Sequence, residues 1–163
     1  MRLTALALLL AGPVSAQDVT YSDEATAACL DTVQGMARAD CAGASALACM
    51  TRSPDGNSTM GNVACLDSEI AFWDSRLADL RERAMAKAAG TDKASLTDGL
   101  GQSFMAETLT GMEAAWSSFA EARCTFERAQ YRDGSGGGPA ELRCYLRMMG
   151  EQAAYLETMW LNQ

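Results

Sequence analysis

The chain has 163 residues, 48% of them hydrophobic and 21% charged, with a formal net charge of -8 and no histidine. That length suits one domain with its own core and is short for two, and the negative balance disfavours nucleic acid and anionic lipid while steering a cationic partner, although it also serves plain solubility. The lack of histidine excludes Ser-His-Asp and Cys-His catalysis, histidine-bound metal and covalent haem, and with no G-x-G-x-x-G or P-loop sequence nucleotide binding is unsupported.

Residues 1–16 read as an export signal. Met1-Arg2 is basic, Leu3–Gly12 is an apolar run too short to span a bilayer, and Val14-Ser15-Ala16 is a small-residue cleavage site. The mature chain is expected to begin near Gln17, in the periplasm or secreted, with no membrane insertion, because no later apolar run is long enough to span. Cys29, Cys41, Cys49, Cys65, Cys124 and Cys144 then make an even set, which in an exported chain reads as three disulfides. No C-x-x-C pair suggests a redox centre or a zinc knuckle. Cys124 and Cys144 flank one turn and are expected to pair. The other four read as Cys49–Cys65 with Cys29–Cys41, and the rival pairing is Cys29–Cys49 with Cys41–Cys65.

Asp23 and Glu24 open a first helix, acids being favourable at a helix N-terminus. Leu30, Val33 and Ala37 follow at helical spacing, and the helix is expected to end near Asp40-Cys41. A short second helix is expected from about Ala44 to Met50. Ser53-Pro54-Asp55-Gly56-Asn57 is a turn by composition, and Asn57-Ser58-Thr59 a glycosylation match expected to be fortuitous in a bacterial chain. Leu66, Ile70, Trp73, Leu77, Leu80 and Ala84 form one apolar stripe, predicting a helix over Met60–Ala89 stopped by Gly90. Thr91-Asp92 can cap a further segment, and Gly99 and Gly101 break it.

Met105, Leu109, Met112, Trp116, Phe119 and Phe126 again step by threes and fours, predicting the next helix. Arg123 falls on that stripe and needs either an acidic partner, with Asp74 and Glu69 as candidates, or a route to water along its own stem. Tyr131 to Pro139 is a glycine-rich turn, with Pro139 suited to the first turn of the helix that follows. Leu142, Leu146, Met149, Ala153, Leu156 and Trp160 make the last stripe. A phosphate nest in the triple glycine is disfavoured by the acidic balance and by the lack of a following lysine. The ten methionines read as core filling rather than a copper site. The expectation is an all-α, disulfide-stapled bundle of four to five helices, mostly antiparallel, without metal or cofactor. Residues 17–48 form an N-terminal helical extension that packs as one compact unit with residues 49–163.

Two segments resemble the LprI-like lysozyme inhibitor domains of exported bacterial proteins. The first is Cys65-Leu66-Asp67-Ser68-Glu69 followed by Trp73-Asp74 and Leu77. The second is Trp116, then Phe119 and Glu121 where the family has tyrosine and aspartate, then Cys124, the glycine-rich turn and Cys144. The likeness covers roughly residues 49–160. Glu69, Trp73, Asp74, Trp116 and Phe119 belong to the shared pattern. Arg123 stands one helical turn beyond Ala120, where the family has arginine. Ala78, Arg81 and Gln152 replace an asparagine, a tyrosine and an arginine.

The resemblance implies a binding protein, not an enzyme, that docks a cationic lysozyme on an acidic surface. The candidate contact loops are those of Pro54 and Asp55 and of Tyr131, Arg132 and Asp133. Tyr131 and Arg132 offer an aromatic contact and a donor for the enzyme's catalytic carboxylates. The alternative is a periplasmic envelope interaction module with an unrelated partner. An acid–base pair of Glu69 and Asp74 is disfavoured, since five residues apart they project about 140° from one another on a helix. The sequence leaves the particular lysozyme and the oligomeric state open.

Overall fold

The computed structural model describes residues 18–162, so the export segment lies outside the described residues. Among the described residues five α-helices follow one another: α1 (Glu24–Thr32), α2 (Ala44–Arg52), α3 (Thr59–Thr97), α4 (Met105–Ala129) and α5 (Gly137–Tyr155). A 3₁₀ segment, Gly35–Cys41, lies between α1 and α2, and a π-helical turn, Leu156–Leu161, continues α5. The last three helices form an up-down-up bundle. Arg81 on α3 meets Glu113 on α4, and Asp92 meets Met105, so these two run antiparallel. Cys124–Cys144 and Arg128–Glu141 set α4 antiparallel to α5 in the same way. Asn62 meets Arg143 and Arg76 meets Glu157, so α3 and α5 are parallel neighbours.

The apolar stripe of α3 makes the core: Leu66, Trp73, Leu77, Leu80 and Ala84 are all buried. Each large side chain so placed contributes about 1.5–3 kcal/mol. Ser58 caps the helix by accepting from the Gly61 amide at 2.9 Å. Gly90 does not stop α3, which runs on to Thr97. A glycine in an exposed helix interior costs only about 1 kcal/mol. The break comes at Gly99 and Gly101, whose φ angles of 70° and 95° place them in the left-handed region. Thr91-Asp92 starts no new helix. The Asp92 carboxylate instead caps α4 across the turn, accepting from the amides of Met105 at 2.8 Å and Ala106 at 3.0 Å. The Ala106 bond first, then the Ser103 hydroxyl, hold Asp92 below the usual carboxylate range.

All three disulfides form as first read: Cys29–Cys41, Cys49–Cys65 and Cys124–Cys144, with no free cysteine among the described residues. The first of them corrects the opening helix. Cα atoms 5.6 Å apart across twelve residues are incompatible with a continuous helix, which would separate them by about 18 Å. The chain therefore leaves α1 at Thr32, turns extended at Val33 and returns through the 3₁₀ segment. That segment lies on α5 at Gly150. A Cβ built there would come 2.7 Å from the Ala42 Cβ and 2.8 Å from the Ala39 carbonyl oxygen, so the glycine permits the contact.

The N-terminal elements are tied to α3 by a buried carboxylate. Glu69 is fully enclosed. Its Oε1 accepts from the Thr26 hydroxyl at 2.7 Å, the Gly43 amide at 2.8 Å and the Trp73 indole at 3.1 Å, while Oε2 accepts from the Ala46 amide at 2.6 Å. Thr26 in turn exchanges two hydrogen bonds with Ser45. No cation neutralises Glu69 among the described residues. Two of its donors are amides at the start of α2, where the helix dipole favours negative charge.

Burial first, and then the charges of Glu69 and Asp23, push the Tyr21 phenol up from 10.0 to about 12. A folded-state value above the unfolded one contributes stability that is complete below pH 10.0 and is lost as pH rises toward about 12. Ultraviolet titration should accordingly show a phenolate that forms only near the upper limit. Tyr21→Phe should remove that late step and flatten the alkaline loss of stability. A late step of unchanged amplitude in the variant would assign it elsewhere.

Candidate functional site

The two candidate contact loops lie at the same end of the bundle. Asn62, in the first turns of α3, donates to the carbonyls of Gly56 and Ser58 and accepts from Arg143 on α5. Val63 lies 3.8 Å from where a Gly138 Cβ would stand. The turn at 53–58 and the turn at 130–136 thus lie at the same end of the bundle, a platform where Pro54, Asp55, Tyr131, Arg132 and Asp133 are all exposed. The glycine run has a physical reason. A Cβ on Gly136 would come within 2.8 Å of the Tyr131 ring, so this glycine seats the tyrosine, which remains half exposed. Gly137 and Gly138 already belong to α5, with Pro139 in its first turn.

A second feature is a cleft of about 320 Å³ where α3, α4 and α5 meet. Asp74 and Arg81 enter it from α3, Trp116 and Glu121 from α4, and Tyr145 and Met149 from α5. The Arg81 guanidinium lies 5.0 Å from the Trp116 ring centroid, a cation–π contact. Its Nε donates to Glu113 Oε2 at 2.6 Å, and the other oxygen of Glu113 accepts from Gln152. One carboxylate thereby joins all three helices. Glu113 carried no signal in the sequence except its place one turn before Trp116. Ala120 is buried beneath the cleft, and Gln152 is nearly so. The exposed rim carries Asp74 and Glu121, neither of which forms an ion pair among the described residues. Burial first, then Glu141 and Glu121, raise the pKa of Tyr145 above its ordinary value.

Two side chains of the expected α4 stripe are placed differently. Phe119 and Phe126 do not face the core but are 58% and 68% exposed. The buried line of α4 runs from Trp116 through Ala120 to Cys124, because small residues there let α4 close on α5. Arg123 consequently sits at the edge of the contact. It bonds Met148 Sδ at 3.1 Å and lies 3.8 Å from Glu127, and reaches neither Asp74 nor Glu69. As expected, Glu69 and Asp74 do not converge: Glu69 is sealed among its four donors and Asp74 stands on the outer rim.

Charge pairing is lopsided. Among the described residues, seven arginines are held in ion pairs by only five carboxylates, because Glu157 takes both Arg38 and Arg76, and Glu127 both Arg123 and Arg147. More than half of the described cations are thus paired within the molecule, while most of the described carboxylates form no ion pair. Three disulfides suit an oxidising compartment outside the cytoplasm. No helix among the described residues is long and apolar enough to cross a membrane.

Comparison with known proteins agrees with this architecture. A family model described as "Lysozyme inhibitor LprI" matches residues 49–156, from Cys49 in α2 to the start of the π-turn. The chain is also similar to "Uncharacterized 17.7 kDa protein in puhA 5'region" of Rhodobacter capsulatus. The two are 30% identical over 120 residues, which cover 72% of this chain and 72% of that protein. No solved structure matches. A disulfide-stapled bundle with Cys49, Cys65, Trp73, Trp116, Cys124 and Cys144 in its frame, matched over 49–156, belongs to the LprI lysozyme inhibitor family.

Proposed function

We propose that this protein is an exported binding protein that docks on a cationic lysozyme and blocks it. The observation that carries the reading is the one-sided charge pairing: more than half of the described cations paired internally, most of the described carboxylates in no ion pair. Such a surface attracts a basic protein over a Debye length of about 8–10 Å and speeds encounter at low salt. In this reading the cleft between α3, α4 and α5 is the anchor. Asp74 and Glu121 receive a lysine or arginine of the enzyme, and its stem lies beside Trp116. The platform of Pro54, Asp55, Tyr131, Arg132 and Asp133 is the part that occludes the enzyme's groove. Tyr131 supplies a ring held by the glycine seat, and Arg132 supplies donors for acidic groups in that groove.

Inhibition and binding of a chicken-type lysozyme, followed across a salt series, test this. Inhibition is expected at low salt and should weaken steeply as salt rises. Asp74→Lys with Glu121→Lys should reduce affinity roughly tenfold or more. Tyr131→Ala with Arg132→Ala should reduce inhibition more than binding. Full lysozyme activity at low salt in excess protein would remove the inhibitor reading and leave the envelope module with another partner. Affinity that ignores salt would remove the electrostatic anchor.

A further inference from the structure

A groove of about 440 Å³ lies between α5 and the N-terminal elements, on another side of α5 from the cleft that Tyr145 and Met149 enter. Small residues create it. Ala39, Ala42, Gly43 and Ala46 line one bank and are too short to fill the space. Gly43 turns the chain into α2 with a φ of 103°, in the left-handed region that favours glycine. At Gly150 the absence of a side chain lets the 3₁₀ segment touch α5. One and two turns earlier on α5 the bank carries Arg147 and Arg143 instead, and there the gap is open.

The charged side chains of the groove are Arg143 and Arg147, four residues apart on one face of α5, and Asp40 across from them on the 3₁₀ segment. All three are exposed, and none is fully compensated. Arg143 donates to the neutral side chain of Asn62 and forms no ion pair among the described residues, and neither does Asp40. Arg147 shares the single carboxylate of Glu127 with Arg123. Two such guanidiniums side by side are an exception in a chain of net charge -8. Between the banks the floor is apolar: Ala46, Met50 and Leu146 are buried there, and Leu47 stands at the rim 65% exposed.

We propose that this groove binds a short apolar peptide by its two free ends. The peptide's carboxylate lies against Arg143 and Arg147, its ammonium against Asp40, and an apolar side chain covers Leu47 and the floor. Charge complementarity selects this occupant, because it uses all three charged groups and the apolar surface between them. A fatty acid satisfies the arginines but leaves Asp40 beside an alkyl chain. An inorganic anion gains nothing from the floor and meets the repulsion of the whole chain. A lysine or arginine of a cationic enzyme meets two like charges, so the groove is distinct from the lysozyme-docking cleft. Its volume falls within the range of about 300–1,000 Å³ of small-molecule sites. A dipeptide is small and the groove open, so the dissociation constant is on the order of 100 µM to 1 mM.

Leucyl-leucine titrated into isotope-labelled protein, with the backbone amide shifts followed by NMR, tests this. Saturable shifts are expected at Ala42, Gly43 and Leu47. The C-terminal amide of the dipeptide should bind roughly tenfold more weakly. In Arg143→Gln with Arg147→Gln the acid and the amide should bind alike, whereas Arg83→Gln, an exposed arginine of α3, should leave the difference intact. Acetylating the ammonium should weaken binding to the parent but not to Asp40→Asn. The comparison of acid with amide on the unaltered protein holds even if a variant fails to fold. No saturable shifts up to about ten times the expected dissociation constant would overturn the proposal. So would shifts centred away from the groove, or equal affinity of the acid and the amide for the parent. Octanoate binding as tightly as the dipeptide would replace the peptide by a fatty acid. Acetyl-dipeptide binding as tightly as the free one would remove Asp40's part and leave a site for a carboxylate tail.

Discussion

Replacing Glu69 by glutamine is expected to lower stability by about 2–4 kcal/mol, although the side chain keeps its size. The carboxylate accepts from four donors, three on one oxygen and one on the other. A carboxamide offers one oxygen and one NH₂. Turned the favourable way, its oxygen serves Thr26, Gly43 and Trp73, and its NH₂ meets the Ala46 amide donor to donor. A buried donor left without an acceptor costs about 1–3 kcal/mol, and the charge assistance of the other three bonds is lost as well. Glu69→Ala should be worse, since all four donors lose their partner and a cavity opens beside Trp73. Chemical denaturation measures the loss. Hydrogen exchange should show where it falls: α1, the 3₁₀ segment and α2 lose protection before the centre of α3. Glu82→Gln, on the exposed side of the same helix, is the control and should stay within about 0.5 kcal/mol of the parent. A Glu69→Gln protein equally close to the parent would mean that the N-terminal elements are held by their disulfides and apolar contacts alone.

How much of this arrangement could be read beforehand differs from element to element. The α3 stripe was legible because six apolar positions repeat at the helical period and nothing competes with them. The disulfides were legible because each joins cysteines close in sequence. What failed were choices between equivalent local signals. From Trp116 the apolar line can step by three to Phe119 or by four to Ala120. Hydrophobicity favours the phenylalanine, but the helix turns the alanine inward, where its small size admits α5. Gly90 and Gly99 are equally plausible stops in sequence. The difference lies in the backbone, since α3 needs a left-handed residue only at the second. Thr91-Asp92 was read as the cap of a segment starting there, but α3 runs straight through it, and Asp92 alone caps α4, reached by folding back across the turn. Glu69 could be marked as part of a pattern, yet its meaning depends on donors at positions 26, 43 and 46, which no local rule connects to it. The cleft was half legible. Asp74, Trp116 and Glu121 were marked through a resemblance. Their meeting with Tyr145 and Met149, and the bridging of Arg81 and Gln152 by Glu113, required three helices in register.

Removing the Cys124–Cys144 bond is expected to be the other large perturbation, and a more local one. The two cysteines are twenty residues apart in sequence, and releasing a loop of that size costs about 3 kcal/mol in the chain-entropy model. For a domain of this length that is a fall in Tm on the order of 10 °C. The packing around the bond offers little in reserve. The buried cluster between the C-terminal half of α4 and α5 consists of Ala120, Met148 and the cystine itself, with Trp116 and Tyr145 at its margin. Beyond it this half of α4 is held by the Arg123–Met148 bond and by surface pairs such as Arg128–Glu141 and Arg147–Glu127, and exposed pairs of that kind contribute about 0–1 kcal/mol each. Trp73, by contrast, lies in the separate larger core with Leu66, Leu77 and Leu80. The Cys124→Ala, Cys144→Ala protein should therefore fray rather than collapse. Amides from about Trp116 to Ala129 should exchange faster, and Trp116 emission should shift toward that of a solvated indole, while α3 around Trp73 keeps its protection. The cleft and the platform both depend on α4 holding its place, so lysozyme binding should weaken in the same variant even though Asp74, Glu121, Tyr131 and Arg132 are all still present. If exchange were lost uniformly across the bundle, the two buried clusters would be one cooperative unit. If binding were untouched while α4 frays, the anchor would have to lie on α3 and the N-terminal elements instead.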